Sequence, residues 1–497
     1  MKQKKSLTDK SLSGFLWSFI GVGGQAILQL IVLAILARLL SPADFGVVSA
    51  AVVVSQFSNI FSELGVGPAI IQRSDIKEDD LRVGFTLSLF FGTFIALLIY
   101  LCAPIISGFF KIPQLEKVLF IYSFIFIIKG FSAISEALLQ RELKFKIITS
   151  IELFSFAFGY ACVGIYLADQ GYGYWSLVGA HLSQSFIKAV GVIVCRFHSM
   201  KPLLDKKIIR GLLYFGSGHS IARIANFLAN QGDNLVIGRM LGAEALGNYG
   251  RAYQLVVMPA NMFGQVFDRV LFPVMSKVQD DTRKLSEAYK KSVSIITWVM
   301  IPFSCLMWIL SQEIIRLILG AKWLSLVLPF QILAIGLVFR VVHKISDALA
   351  RSKGAVFKRA WRQCVYAVIV LIGALFGYEW GISGVACGVL IAIISNYLLM
   401  TQLCRSLTKL SVRYFIKAHM AGLFVGMVLI PMVSCYTNTL RYYSYSDIAI
   451  ILFSILLMVV LMILLCKMFP NIFLGKDNQD MLQNIGARLP ARIRKLF

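Results

Sequence analysis

Residues 37–51 read ARLLSPADFGVVSAA, and residues 238–252 read GRMLGAEALGNYGRA. At a constant offset of 201, Arg38 pairs with Arg239, Leu40 with Leu241, Gly46 with Gly247 and Ala51 with Ala252. With four more residues of shift, about one helical turn, Gln56 pairs with Asn261, Glu63 with Asp268 and Pro68 with Pro273. Self-similarity at so long a period describes architecture before it describes function. A unit near the N-terminus recurs in the same orientation in the second half of the chain.

What surrounds each copy is apolar. Hydrophobic residues make up 58% of the 497-residue chain and charged ones 15%, and the mean hydropathy is +0.77. Soluble domains carry about 25% charged residues, and no soluble fold of this size hides so much apolar surface. A soluble enzyme, a nucleic-acid-binding domain and a disordered chain are excluded. Windows of about 20 apolar residues, the length that crosses hydrocarbon, predict fourteen spans. They fall near 14–38, 44–66, 84–106, 117–139, 148–168, 174–195, 213–237, 246–272, 292–312, 323–347, 362–379, 381–404, 417–435 and 447–468. The apolar run after Met1–Lys10 is too long for a signal peptide and lacks a small-residue cleavage site, so it is read as the first span. Spans 1–2 recur as spans 7–8. The expectation is an all-α polytopic membrane protein with a six-helix lobe at 1–200, a second at 201–410, a final helix pair at 411–470 and a basic tail at 471–497.

The net charge of +24 takes its meaning from this topology. Alternate loops carry 35 Lys and Arg residues on one side and 8 on the other. By the positive-inside rule this places both termini in the cytoplasm and favours an even number of spans. The nine cysteines are scattered through apolar runs without a C-x-x-C pair. They read as small packing residues, neither a disulfide framework nor a metal site.

Polar residues in mid-membrane are costly and tend to face one another or a cavity. On span 7, His219, Arg223, Asn226, Asn230, Asp233 and Asn234 share an arc of roughly 100° at helical spacing. Span 1 aligns Gln25 and Gln29; span 2 aligns Gln56, Asn59 and Glu63; span 8 aligns Gln254, Asn261, Gln265 and Asp268 with Arg269 on the flank. Span 10 adds Arg340, His343, Lys344 and Asp347; span 6 adds His181, Gln184, Ser185 and Lys188; span 4 adds Lys129, Ser132, Glu136 and Gln140. Read singly, each stripe is interhelical glue worth about 1 kcal/mol per bond, and Glu136 with Lys129 two turns away fits that reading. Seven aligned stripes exceed what packing needs and imply a wet cavity between the lobes. The deepest charges, Lys129, Lys188 and Arg223, suit an anionic solute such as a phosphate or pyrophosphate. Arg340, Arg269, Asn226, Gln25 and Gln56 complete the expected substrate-binding wall. Asp233, Glu63 and Asp268 are the candidates for coupling to an ion gradient, Asp233 easing release outside and the other two resetting the inward state.

Two G-x-x-x-G patterns, Gly373/Gly377 and Gly384/Gly388, read as close helix packing. Pro259, Pro302, Pro329 and Pro431 are expected to kink their spans. There is no phosphate-binding loop, no paired His/Cys metal spacing and no nucleophile elbow. Neither a cofactor nor a metal is expected.

Residues 232–253, GDNLVIGRMLGAEALGNYGRAY, with VVMPANMFGQVFDRVLFPVMSK at 256–277, resemble bacterial polysaccharide exporters of the Wzx type, nearest to the colanic-acid branch. ARLLSPADFGVVS at 37–49 and GISGVACGVLIA at 381–392 fit the same family, which belongs to the multidrug/oligosaccharidyl-lipid/polysaccharide transporter superfamily. The resemblance implies a two-lobed fold of fourteen helices in the bacterial inner membrane. It implies a flippase that moves undecaprenyl-pyrophosphate-linked sugar repeats by alternating access without ATP. Expected partners are the anionic lipid-linked oligosaccharide, the membrane, and the polymerase and glycosyltransferases of one pathway. Functional lumen cations carry over only as a residue type, onto Lys188 and Arg223. Two alternatives remain: a multidrug/cation antiporter of the same superfamily, which would favour deep acids, and a membrane-embedded polymerase or ligase, which would need a large external loop.

Overall fold

In a computed structural model of the chain, residues 7–63, 65–217 and 220–470 are described. All regular structure among them is helical: α1 (Leu7–Leu39), α2 (Pro42–Glu63), α3 (Val66–Gln72), α4 (Glu78–Phe110), α5 (Pro113–Arg141), α6 (Phe145–Phe156), a π-helical stretch Ala157–Gly164 leading into α7 (Ile165–Asp169), and α8 (Tyr174–Cys195). Then follow α9 (Lys206–Ser217), α10 (Ser220–Met240), α11 (Gly242–Lys277), α12 (Thr282–Ile309), α13 (Ser311–Ile318) and a 3-10 turn Ala321–Leu326. The chain continues with α14 (Val327–Ser352), α15 (Val356–Gly377), a 3-10 turn Tyr378–Trp380, α16 (Gly381–Thr408), α17 (Val412–Tyr442) and α18 (Asp447–Met468). The expected all-α class is what the chain adopts. The expected basic tail, 471–497, lies outside the described residues.

Local chemistry sets the helix starts. Ser41 and Asp44 form a capping box, with Asp44 N–H donating to Ser41 Oγ at 3.2 Å and Ser41 N–H to Asp44 Oδ2 at 2.9 Å, and Pro42 takes the first helical position. Asp281 caps α12 by accepting from the amides of Arg283 and Lys284, each at 3.1 Å.

Ten stretches of the described residues are helical, long and apolar enough to cross a membrane. One of them, Val356–Thr408, is the pair α15–α16. α10 and α11 are absent from the ten because polar side chains dilute their hydropathy, and α1 contributes the shorter apolar stretch Gly23–Leu39. Counting apolar helices therefore returns fewer than the fourteen expected. Span 7, expected over 213–237, needs correction. Residues 206–217 form the separate helix α9, whose Leu212 is buried in a cluster with Val66, Ile70 and Val83 while Lys206, Lys207 and Arg210 are exposed. An amphipathic helix of that kind uses its apolar face on protein, which an average over a window cannot distinguish from a span.

The chain divides into two compact units, Met1–Arg251 and Ala252–Phe497, the division falling within α11. In unit 1, α4 and α5 meet through glycine: a Cβ on Gly130 would lie 2.9 Å from Ser88 O, and one on Gly92 would lie 2.6 Å from Phe126 O. Arg141 closes α3 by donating to the carbonyls of Ile70 and Ile71 at 3.1 Å and of Ser74 at 2.9 Å. In unit 2, Gly373 faces Gly388 and Gly377 faces Gly384, backbone to backbone, as the two G-x-x-x-G patterns lead one to expect. Arg441 grips the buried Glu313 with two bonds of 2.7 and 2.8 Å. Gly388→Val should therefore cost about 1–3 kcal/mol, as overpacking does, read as a lowered melting temperature in detergent. Gly108→Ala, where a Cβ meets nothing within 4 Å, should leave melting unchanged.

Candidate functional site

Within unit 1, polar side chains from both sequence repeats meet along α2. Gln231 of α10 donates to Gln56 Oε1 at 2.9 Å, and Asn234 donates to Gln231 Oε1 at 2.7 Å. One turn along α2, Asn59 Oδ1 accepts from Lys129 Nζ of α5 at 3.2 Å. On α10, Asn230 donates to Asn226 O at 2.6 Å and Oδ1 at 3.0 Å. Gln56, Lys129, Asn226 and Asn230 are exposed, and Arg223 is half-buried on the same helix as the asparagines. His181 Nδ1 and the Tyr122 hydroxyl share a bond of 3.0 Å on the α5–α8 contact. The result is a wall of amides with cations set into it, able to hydrogen-bond hydroxyls and attract an anion.

Lys188 stands differently from its expected place as a lumen cation. Its Nζ lies 3.1 Å from Glu136 Oε1 and 3.1 Å from Glu152 Oε1, joining α5, α6 and α8. Glu136 thus turns to Lys188, and the anticipated partnership with Lys129 is not the one formed. The three groups, each about one-third exposed (30%, 29% and 36%), carry formally one negative charge between them. An incoming anion meets this ammonium only after displacing a carboxylate.

Asp233 is 2% exposed. The Tyr249 hydroxyl donates to its Oδ2 at 2.7 Å, and the Asn234 amide to its Oδ1 at 2.9 Å. It lies behind the wall, sealed from solvent. Gln25 is half-buried on α1. The side chains of Glu63, Asp268 and Arg269, together with those of Gln265 and His219, lie outside the described residues.

Unit 2 contains Arg340, whose Nη1 is 2.8 Å from the Tyr253 hydroxyl, with the guanidinium 5.0 Å from that ring's centre. Asp347, expected in the same stripe, instead pairs with Arg359 and, at 3.1 Å, with Arg351. Between α12, α14, α16 and α17 runs an apolar cleft of about 1060 Å³, lined by Ile301, Trp308, Phe339, Ile416 and Met427, with Arg405 on its border. Tyr397 and His419, bonded at 3.0 Å, also line it. Among the described residues no group of three or more His, Cys, Asp or Glu side chains is placed to hold a metal.

Sequence reading missed Gln231, Tyr249 and Tyr253. Gln231 was legible in principle, three residues before Asn234 and so on a neighbouring face; the tyrosines become polar contacts only through partners on other helices. If the Lys188 cluster is one unit, its members couple. Lys188→Met should depress melting in the parent more than in a chain carrying Glu136→Gln and Glu152→Gln, with a coupling of about 1–3 kcal/mol in the cycle. Additive effects would mean three independent surface groups.

Comparison with known proteins supplies the lineage. The chain is 28% identical over 398 residues to a protein named "Uncharacterized membrane protein in cps region" from Klebsiella pneumoniae, covering 79% of this chain and 82% of the relative. It is 27% identical over 355 residues to the teichuronic acid biosynthesis protein TuaB of Bacillus subtilis, covering 70% and 72%. To the lipopolysaccharide biosynthesis protein WzxC of Escherichia coli it is 28% identical over 404 residues, covering 79% and 80%. In fold the chain is similar to the structure titled "Lipid II flippase MurJ, inward closed conformation", at TM-score 0.73 and 18% identity over 91% of this chain and 99% of that one. An inward-facing multidrug resistance MATE transporter follows the fold at 0.61 and 16% identity, over 78% and 96%. The family model described as "Polysaccharide biosynthesis protein" matches residues 35–328, more than half of the 497 residues, and this multi-pass membrane chain belongs to that family.

Proposed function

We propose that the chain is a flippase for a lipid-linked oligosaccharide repeat unit bearing a pyrophosphate. It would carry the unit from the cytoplasmic to the outer leaflet of a bacterial cytoplasmic membrane by alternating access. The observation that carries this reading is the wall of unit 1. Uncharged amides suited to sugar hydroxyls (Gln56, Asn226, Asn230 and Gln231) stand beside Lys129 and Arg223, which suit a phosphate charge. The apolar cleft of unit 2, with Arg405 on its border, supports a substrate that is part lipid. The named relatives point the same way, since TuaB and WzxC are biosynthesis proteins of teichuronic acid and lipopolysaccharide.

The loop charges support a cytoplasmic position for both termini. Arg340, Lys188, Arg269 and Gln25 belong to the binding set in this reading, with Lys188 held by Glu136 and Glu152 until the anion arrives. Asp233 is the coupling group: protonation awaits separation from Tyr249, and Glu63 and Asp268 are its counterparts toward the cytoplasm. The pathway's polymerase and glycosyltransferases are the functional partners, and the chain itself makes and breaks no covalent bond.

In proteoliposomes loaded with a pyrophosphate-linked saccharide, the parent should flip the lipid. Arg223→Ala should slow flipping by roughly tenfold, the loss of one charge-assisted bond, and Arg223→Glu should abolish it with protein still in the membrane. Full flipping by Arg223→Glu would remove the anion-binding wall, and movement of an organic cation in place of the lipid would favour the antiporter. Asp233→Asn should flip without responding to an imposed pH gradient; an undiminished response would acquit Asp233. In a chain with its native cysteines replaced, single cysteines at Gln170 and Glu379 should react with an impermeant thiol reagent from outside, and ones at Lys206 and Lys284 should not. Outside labelling at Lys206 would reverse the topology.

A further inference from the structure

The offset of 201 that relates the two repeats in sequence also relates them in space. The amide of Leu40 donates to Leu36 O at 2.8 Å, and the amide of Leu241 donates to Ile237 O at 2.8 Å, the same bond at equivalent positions. Immediately after these bonds, α2 and α11 begin and cross. A Cβ on Gly46 would overlap the carbonyl oxygen of Ala243, and a Cβ on Gly247 would overlap the carbonyl oxygen of Pro42. Pro42 and Ala243 are themselves 201 residues apart, so each glycine meets the residue one turn before the other glycine. A Cβ on Gly250 would lie 3.7 Å from Ser49 Oγ, and Ser49 and Gly250 are again equivalent at that offset. One reciprocal pair of contacts and a third that maps onto itself are the signature of an isologous contact, here made within one chain.

The crossing admits glycine alone at two positions. Both glycines are helical, so the reason is the close approach of backbones, not a left-handed φ. The obstacle is a carbonyl on each side, which cannot swing away as a flexible side chain can. Phe45 is buried, with the Arg251 guanidinium 4.6 Å from its ring centre. Further along α2, Phe57 meets Phe227 of α10 at 5.3 Å, next to the Gln56–Gln231 bond. Glycine-to-carbonyl contacts are individually weak, which suits a joint that must part and re-form.

We infer that Gly46 and Gly247 are the positioning residues of a seal, made by the two repeat-related turns on each other at the membrane face opposite the Lys/Arg-rich loops. The α1–α2 and α10–α11 turns close that face, and their crossing parts once in each transport cycle. The inference rests on the alternating-access reading above. It adds where the outer barrier is, and why its two halves carry the same glycine.

In a chain with its nine native cysteines replaced, Asn230→Cys places a thiol on the exposed wall of α10 behind the seal. An impermeant thiol reagent applied outside intact cells should label it slowly. Adding Gly46→Val or Gly247→Val should raise that rate by about tenfold or more, a modest bias of a two-state equilibrium. The two together should do no more than the stronger alone, and Gly250→Ala, which fits, should change nothing. Unchanged labelling in both valine variants would overturn the seal. Should the valine variants fail to reach the membrane, Ser49→Cys with Gly250→Cys decides, since both positions tolerate a small side chain. Oxidation should join them and stop flipping in proteoliposomes, and reductant should restore it; a joined chain that still flips would overturn the inference. Labelling needs no substrate. Accelerated labelling in chains that move no saccharide, the parent included, would therefore sink the flippase reading and leave the seal standing.

Discussion

Within hydrocarbon no water reaches a backbone amide or carbonyl, so each must be satisfied inside its own segment. Everything else in this molecule follows from that requirement. It makes every regular element among the described residues a helix, and it removes the hydrophobic effect as a force between helices, since lipid is as apolar as leucine. What then holds helices together is contact quality. Glycines are placed where backbones touch: Gly92 and Gly130 between α4 and α5, Gly373 and Gly388 between α15 and α16, and Gly46 and Gly247 where the two repeats meet. The same chemistry serves permanent joints and the one assigned to open. The difference lies in the surroundings. The α15–α16 joint has four glycines on two successive turns of each helix, whereas the α2–α11 crossing has one on each helix at which a Cβ would strike backbone.

The second consequence concerns charge. A buried ammonium or carboxylate requires a partner, and breaking one is expensive. Lys188 meets this by binding two glutamates from two helices, which makes it at once a structural tie and a masked cation. Asp233 meets it with the Tyr249 hydroxyl and a backbone amide. The wall that we propose meets a ligand is built chiefly from amides, with Lys129 and Arg223 set into it. That composition suits a saccharide, which offers many neutral hydroxyls for each phosphate it carries.

Sequence alone determined the all-helical, multi-pass class and made the internal repeat legible, because hydropathy and self-similarity are linear properties that survive without coordinates. It also placed Gln56, Asn59, Arg223, Asn226 and Asn230 on shared helix faces, since helical periodicity is local. It misjudged residues 213–217, because an amphipathic helix lying on protein and a span look alike to a window average. The partners were beyond its reach. Whether Glu136 meets Lys129 or Lys188, and whether Asp233 faces water or Tyr249, depends on how helices distant in sequence are turned against one another. That rotation is set by packing, a many-body property that no single stretch encodes. The matched glycines at 46 and 247 were visible in the first line of the repeat; only the tertiary structure decided that each stands against the other's preceding turn, because a missing Cβ acquires meaning from the atom that would strike it.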